Sequence, residues 1–225
     1  MKNVVYIILP LVLLAGCTGE QEIKEEQNVK EEKVVTYLQN INGLMYELNT
    51  EVGFTGVYVE KYDNGQKKTE NHYKDGKLDG LSTEWRESGQ KEREWNYKGG
   101  EYYGSTSWWE NGQKATELPY MDGKKEGRWT WWYRNGQKSS EGNYNGGTPD
   151  GIFTNWYRNG QKESEGKYKD DSGKKEGLWT FWDEGGRKKV EGNLKGGELD
   201  GLITYWDEDG NVTKIEIYKD GKKVQ

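Results

Sequence analysis

GRWTWWYRNGQKSSEGNYNGGTPD, residues 127–150, holds two turn signals and two short strand-like runs. Trp129 to Trp132 is aromatic and β-branched, and Asn135-Gly136 ends it. Lys138 to Tyr144 is the second run, and the glycines at Gly147 end that in turn. Asn-Gly and Asp-Gly dipeptides accept the positive φ that hairpin turns require, so the segment reads as one hairpin plus a link to the next.

The pattern recurs along the chain. The second position of the NGQK-type turn falls at Gly65, Gly89, Gly112, Gly136, Gly160, Gly186 and Gly210, with spacings of 24, 23, 24, 24, 26 and 24. A second glycine series, Gly56, Gly80, Gly104, Gly127, Gly151, Gly177 and Gly201, opens the first strand of each copy. A third, Gly76, Gly100, Gly123, Gly147, Gly173, Gly197 and Gly221, marks the other turn. Fixed self-similarity of this length is the signature of a repeat architecture. The longest copy carries its two extra residues within Lys169 to Gly173, a turn, where an insertion disturbs no ladder.

A propeller blade of four strands needs about 40 residues, more than one copy supplies. Consecutive hairpins are therefore expected to add side by side. The predicted fold is all-β: an elongated, twisted antiparallel meander of about seven hairpins, single-layered or curled, in which each copy touches mainly its neighbours.

Composition agrees with a thin aromatic sheet. Leu, Ile, Val and Phe number only 37 of 225 residues, whereas there are 11 Trp, 16 Tyr and 32 Gly. The net charge of −6 comes from interleaved Lys and Glu with no basic patch, which argues against nucleic acid as a partner.

The N-terminus has the three regions of a secretory signal: Lys2, an apolar run from Val4 to Leu14, and Leu14-Ala15-Gly16-Cys17. The run is shorter than the roughly 20 residues a membrane span needs. The last four residues resemble the bacterial lipobox, which implies that Cys17 is acylated and begins the mature chain. On this expectation the protein sits in the bacterial cell envelope, held to a membrane through Cys17. Thr18 in the place of an Asp favours the outer membrane where there are two. Cys17 is the only cysteine, so no intramolecular disulfide forms. The organisation expected is a signal segment at 1–16, an acidic flexible tether at 17–33 for which a short helix is the rival reading, a capping hairpin at 34–53 around Asn42-Gly43, and seven copies at 54–225. At the far end Val212 and Ile215 replace the usual Lys and Glu, and Lys219 to Lys223 puts charge on the last edge.

Strand alternation places Thr83, Thr130, Thr154, Thr180 and Thr204 on one face with Trp85, Trp132, Trp156, Trp182 and Trp206. Trp108, Trp129, Trp131, Phe153, Tyr157, Trp179, Phe181, Ile203 and Tyr205 fall on the other. Tyr73, Tyr97, Tyr120, Tyr144, Tyr168, Leu194 and Tyr218 close the second strands. Two readings fit these rows. They are the core, or one face is bare and Trp108, Trp109, Trp129, Trp131 and Trp132 form its densest platform, a candidate binding surface.

FTG at 54–56, YDNGQKK at 62–68, HYKDGKLDG at 72–80 and WYRNGQK at 156–162 resemble the MORN-repeat variant family. The resemblance runs from about Ile41 to the end and departs from the pattern at Leu118-Pro119 and in the last copy. It implies a scaffold of hairpins, and bacterial members carry an antitoxin-like label. A lipobox keeps the chain away from a cytoplasmic toxin, but an immunity role against an envelope-acting toxin fits.

Catalysis is not expected. His72 is the only histidine and is read as a surface residue, and with one lipidated cysteine no zinc site of usual composition can be built. Glu70, Glu94, Glu117, Glu141, Glu165 and Glu191 recur five residues after the turn glycine. Six equivalent carboxylates are ladder residues paired with Lys, not a singular acid–base site. No cofactor motif is present. The leading expectation is a non-catalytic scaffold that binds a protein through a sheet face or edge. Binding of cell-wall glycan by ring stacking is the alternative, and phospholipid contact is disfavoured by the acidic balance.

Overall fold

The computed structural model describes residues 5–7, 32–169 and 172–224, and every helix or strand among them is a strand. The lipobox at 14–17 and most of the signal and tether segments lie outside the described residues. Before the copies come β1 (Val5–Ile7), β2 (Glu32–Val35), β3 (Gln39–Ile41) and β4 (Leu44–Tyr46). The first three copies are β5 (Gly56–Lys61) with β6 (Lys67–Lys74), β7 (Lys77–Trp85) with β8 (Lys91–Lys98), and β9 (Glu101–Trp108) with β10 (Lys114–Met121). A two-residue strand, β11 (Lys124–Lys125), precedes β12 (Gly127–Trp132), which pairs with β13 (Lys138–Asn145). Then follow β14 (Thr148–Trp156) with β15 (Lys162–Lys169), β16 (Lys174–Trp182) with β17 (Lys188–Lys195), β18 (Glu198–Trp206) with β19 (Val212–Lys219), and the short β20 (Lys222–Lys223).

These strands form one open sheet of 18 strands in which each copy pairs antiparallel with the next; β3 and β4 form a separate hairpin. The sheet begins with β1 antiparallel to β2, and β2 lies parallel to β5. The long meander of hairpins expected from the period is the fold.

The two turn series differ in kind. Between copies, Asp75-Gly76, Asp122-Gly123 and Gly146-Gly147 have positive φ at both residues, as a two-residue type I′ turn demands. Within a copy only the glycine of Asn-Gly is left-handed, as at Gly136 with φ 85°. There Tyr133 and Gln137 close a three-residue loop, and the ladder shifts by one residue just beyond it, between Trp131 and Trp132. The same bulge recurs in every copy and adds local twist.

Successive turns stack. Asn64, Asn111, Asn135 and Asn159 donate through Nδ2 to the carbonyls of Glu87, Arg134, Arg158 and Glu184, each in the next turn along. The same asparagines accept the N–H of Gln66, Gln113, Gln137 and Gln161. Tyr62, Tyr133 and Tyr157 donate through Oη to the carbonyls of Trp85, Trp156 and Trp182, and Trp109 donates through Nε1 to that of Trp132. Tyr157 and Trp109 are thus turn residues that tie copies together, not members of a sheet face.

The core is a stripe of rings on one face. Tyr97, Tyr102, Tyr120, Trp129, Tyr144, Phe153, Tyr168 and Trp179 form an unbroken chain of contacts, with centroids 4.8 to 5.8 Å apart. Tilted and edge-on geometries of this kind add about 0.5–1.5 kcal/mol per pair beyond area burial. Along the same stripe, bulky and small residues alternate from strand to strand. Trp129 opposes Gly142, Gly142 opposes Phe153, Phe153 opposes Gly166, Gly166 opposes Trp179, and Gly192 separates Trp179 from Ile203. A Cβ at Gly142, Gly166 or Gly192 would collide with Phe153, Trp179 or Ile203 respectively, so these glycines are seats on which the next copy's side chain rests. In the earlier copies the phase is inverted: Ser82 and Ser105 are small on the first strand, and Trp95 and Leu118 are large on the second. The phase switches where Leu118 of β10 meets β12.

Candidate interaction surface

The opposite face carries the residues that recur most regularly. Its middle row is the Thr–Glu series. Thr83 opposes Glu94, Thr130 opposes Glu141, Thr154 opposes Glu165 and Thr180 opposes Glu191. The threonines are buried, and Thr154 and Thr180 donate to the facing carboxylates. Each glutamate is held by the lysine three residues before it, from Lys67–Glu70 through Lys188–Glu191. The Lys188 ammonium, together with Thr180, holds the Glu191 carboxyl below its usual range. This is a neutralised rib, with six copies of the same pair and none singular.

The same lysines cover the tryptophans of the next copy. Lys67, Lys91, Lys114, Lys138, Lys162 and Lys188 place Nζ 5.4 to 6.0 Å from the rings of Trp85, Trp108, Trp132, Trp156, Trp182 and Trp206. This lies within cation–π range. One lysine thereby joins a carboxylate of its own strand to a ring of the neighbouring copy.

The five tryptophans of the candidate platform do not share a surface. Trp129 and Trp131 belong to the ring face, where Trp129 is 4 % exposed, roofed by Lys125, and donates through Nε1 to the Pro119 carbonyl. Trp108 and Trp132 lie on the Thr–Glu face under Lys91 and Lys114. Trp109 sits in a turn. Alternation put Trp108 on the ring face, but Thr106 opposes Glu117 just as Thr130 opposes Glu141, which moves Trp108 to the other side.

The outer row of the Thr–Glu face is the part left open. Leu81, Ile152, Leu178 and Leu202 are each about half exposed, between 47 % and 55 %. Each follows a glycine with positive φ, at Gly80, Gly151, Gly177 and Gly201, where the ladder between copies bulges. The bulge makes room for the glycine and turns the next side chain outward. Strand spacing of about 4.8 Å sets members of this row in adjacent copies about 10 Å apart.

The row is broken in two neighbouring copies, by Gly104 in the third and by Arg128 in the fourth. In the third copy the bulge is one residue shorter, so Gly104 opposes Asn96 and Pro119, the place that Leu81 or Ile152 takes elsewhere. This accounts for the single spacing of 23, and it corrects the alignment of Gly104 with the strand-opening glycines. The missing side chain leaves a shallow depression of about 240 Å³ lined by Leu81, Asn96, Glu117, Pro119 and Arg128 among others.

No cluster of His, Cys, Asp and Glu suited to a metal occurs among the described residues. Five stretches of the chain, residues 54–75, 78–98, 125–145, 149–170 and 199–220, match the MORN repeat variant. These five copies are similar to that repeat. The last copy, read from sequence as a departure, is among them. The third copy, with Gly104 and Pro119, lies outside the matched stretches. So does the sixth, whose turn reads Glu184-Gly185-Gly186-Arg187; there the Arg187 guanidinium donates to the Glu208 carbonyl, a role an asparagine takes elsewhere. No curated protein matches the chain.

Proposed function

We propose that this chain is a non-enzymatic interaction array of the bacterial envelope, held to a membrane through acylated Cys17, that binds a protein along its outer aliphatic row. The observation that carries the reading is the half-exposed row of Leu81, Ile152, Leu178 and Leu202, beside ribs whose charges are already satisfied within the molecule. The row spacing of about 10 Å is close to the advance of seven helical residues, about 10.5 Å. An amphipathic helix with an apolar residue at every seventh position would therefore meet Ile152, Leu178 and Leu202 in succession. Glycan stacking fits less well, because each tryptophan of this face already carries a lysine over its ring.

Affinity capture of the full chain from detergent-solubilised envelopes, compared with an Ile152→Ser/Leu178→Ser/Leu202→Ser variant, tests the surface. A stoichiometric protein is expected with the wild type and lost with the variant while its circular dichroism is unchanged. Equal recovery by both sinks the assignment. For the anchor, Cys17→Ser is expected to abolish uptake of a fatty-acid label and to leave the membrane fraction; labelling and retention unchanged would refute it.

A further inference from the structure

The outer row changes at two adjacent positions, and the two changes are of opposite kind. At Gly104 a side chain is missing, and the depression of about 240 Å³ stands in its place, lined by Leu81, Pro119, Asn96 and Arg128 among others. Gly104 has φ 143°, and a Cβ there would meet the Leu118 carbonyl oxygen at 2.7 Å and the Pro119 Cα at 2.9 Å. This position cannot carry a side chain of its own, so the depression is filled only from outside.

One step along the row, Arg128 stands where Leu81 and Ile152 stand in their copies. Its side chain is 66 % exposed, and its carboxylate partner, Glu141 at 3.8 Å, is already held by Lys138. The two glutamates that border the depression are likewise held, Glu94 by Lys91 and Glu117 by Lys114. Positive charge is therefore in excess at Arg128.

We propose, resting on the helix-binding reading of the row, that these two positions fix the register of the bound helix. An aromatic side chain of the partner enters the depression at Gly104, and a carboxylate one heptad on pairs with Arg128. Row members lie about 10 Å apart and seven helical residues advance about 10.5 Å, so both contacts come from one face of one helix. An indole or phenol suits the depression, because Leu81 and Pro119 meet its apolar body and the exposed Asn96 amide meets its polar edge. The guanidinium fork accepts a carboxylate with defined geometry. A uniform aliphatic row would hold the helix equally well after a slip of one heptad. A hole beside a charge favours one placement and penalises the others.

Helical peptides of alanine, lysine and glutamate with leucine at every seventh position are titrated against the full chain kept soluble in amphipol, with amphipol alone as the blank. In the test peptides two successive leucines become Trp and Glu, in both orders because the helix can run in either direction; in the control the new Glu is Lys. One Trp–Glu order should bind about tenfold tighter than the all-leucine parent, and the Trp–Lys control should lose that gain. Asn96→Phe, whose ring fills the depression from an exposed site, should cancel the gain from Trp. Arg128→Glu should move the preference from the Trp–Glu peptide to the Trp–Lys peptide. Equal binding of the parent and both Trp–Glu peptides, or a gain that survives both substitutions, overturns the register and leaves row binding standing. If no peptide binds, the helix-binding reading fails and the register fails with it.

Discussion

A side chain added at Gly166 meets the indole of Trp179, which lies across that strand from the next copy. Because Trp179 is itself buried and donates to the Lys167 carbonyl, the ring cannot move aside without losing a hydrogen bond. Gly166→Ala is therefore expected to destabilise the protein by about 1–3 kcal/mol, as overpacking does. At Gly136, by contrast, the conformation and not the contact rules, and alanine there is strained by its left-handed φ. Thermal unfolding of Gly166→Ala alone and with Trp179→Val separates the two causes: the smaller side chain should recover part of the loss at 166 and would have no effect on a loss at 136. The seat glycines were not legible as seats. In sequence Gly142, Gly166 and Gly192 appear only as an interruption of the second strand, and alternation shows which face a residue takes but not that a neighbour's ring lies flat across it. The available signal was the coupling of a glycine on the second strand to a bulky residue before the threonine of the following copy.

Titration follows the same environments. The Glu216 carboxyl is lowered from 4.5 to about 2, chiefly by the hydrogen bonds from Lys214 and Lys223. A carboxyl whose folded value is depressed binds its proton more readily in the unfolded chain. The stability it contributes is thus present above about pH 4.5 and drains away as the pH falls toward 2. Burial pushes the hydroxyls of Tyr73, Tyr97, Tyr144 and Tyr168 up from their ordinary 10.0. That contribution is intact below pH 10 and is lost as the pH rises through the raised folded values. Phenolate absorbance should therefore appear late in the folded protein and jump on unfolding; an ordinary tyrosine curve would contradict the ring chain.

At the scale of the element, each turn is tied to the next by a single asparagine. Asn135 donates to the Arg158 carbonyl at 2.6 Å and accepts the Gln137 N–H at 3.2 Å. Asn135→Ala is expected to lower stability by about 1–2 kcal/mol and to loosen the junction between the fourth and fifth copies. Amide exchange should quicken at Gln137 and in the adjoining turn; exchange unchanged there would show that the side chain does not couple the turns. The period, both turn series and the antiparallel order of strands could be read from the chain, because glycine and asparagine sit where backbone geometry leaves few other choices. The platform of Trp108, Trp109, Trp129, Trp131 and Trp132 could not, since one residue fewer in the bulge at Gly104 changes which face Trp108 takes. A one-residue slip inverts a strand's faces, and counting from glycines alone does not detect it.

Across the whole molecule, copies are interchangeable only within one phase of the ring stripe. Deleting residues 138–161 joins β12 to β15 and sets Trp129 against Gly166, a bulky residue on a glycine as before. Deleting residues 114–137 joins β9 to β13 and sets Ser105 against Gly142, two small residues facing one another. Both remove one period, yet the first should keep a single sharp unfolding transition and the second should lose it or melt far lower. Equal melting would mean that the alternation of bulky and small residues carries no weight in stability. In a one-dimensional array of this kind stability is near to a sum of copy and junction terms, and the second deletion destroys a junction as well as removing a copy.

The stacked turns and the antiparallel ladder also dictate how the molecule would bear a load. Tension applied between its two ends pulls on the outermost strands at right angles to the ladder, so the hydrogen bonds open one after another as in a zipper. Such a sheet would yield at modest force and in equal steps, each copy of 24 residues paying out roughly 80 Å of chain. The Glu216 carboxylate, tied to Lys214 and to Lys223 of β20, would resist peeling from its own end.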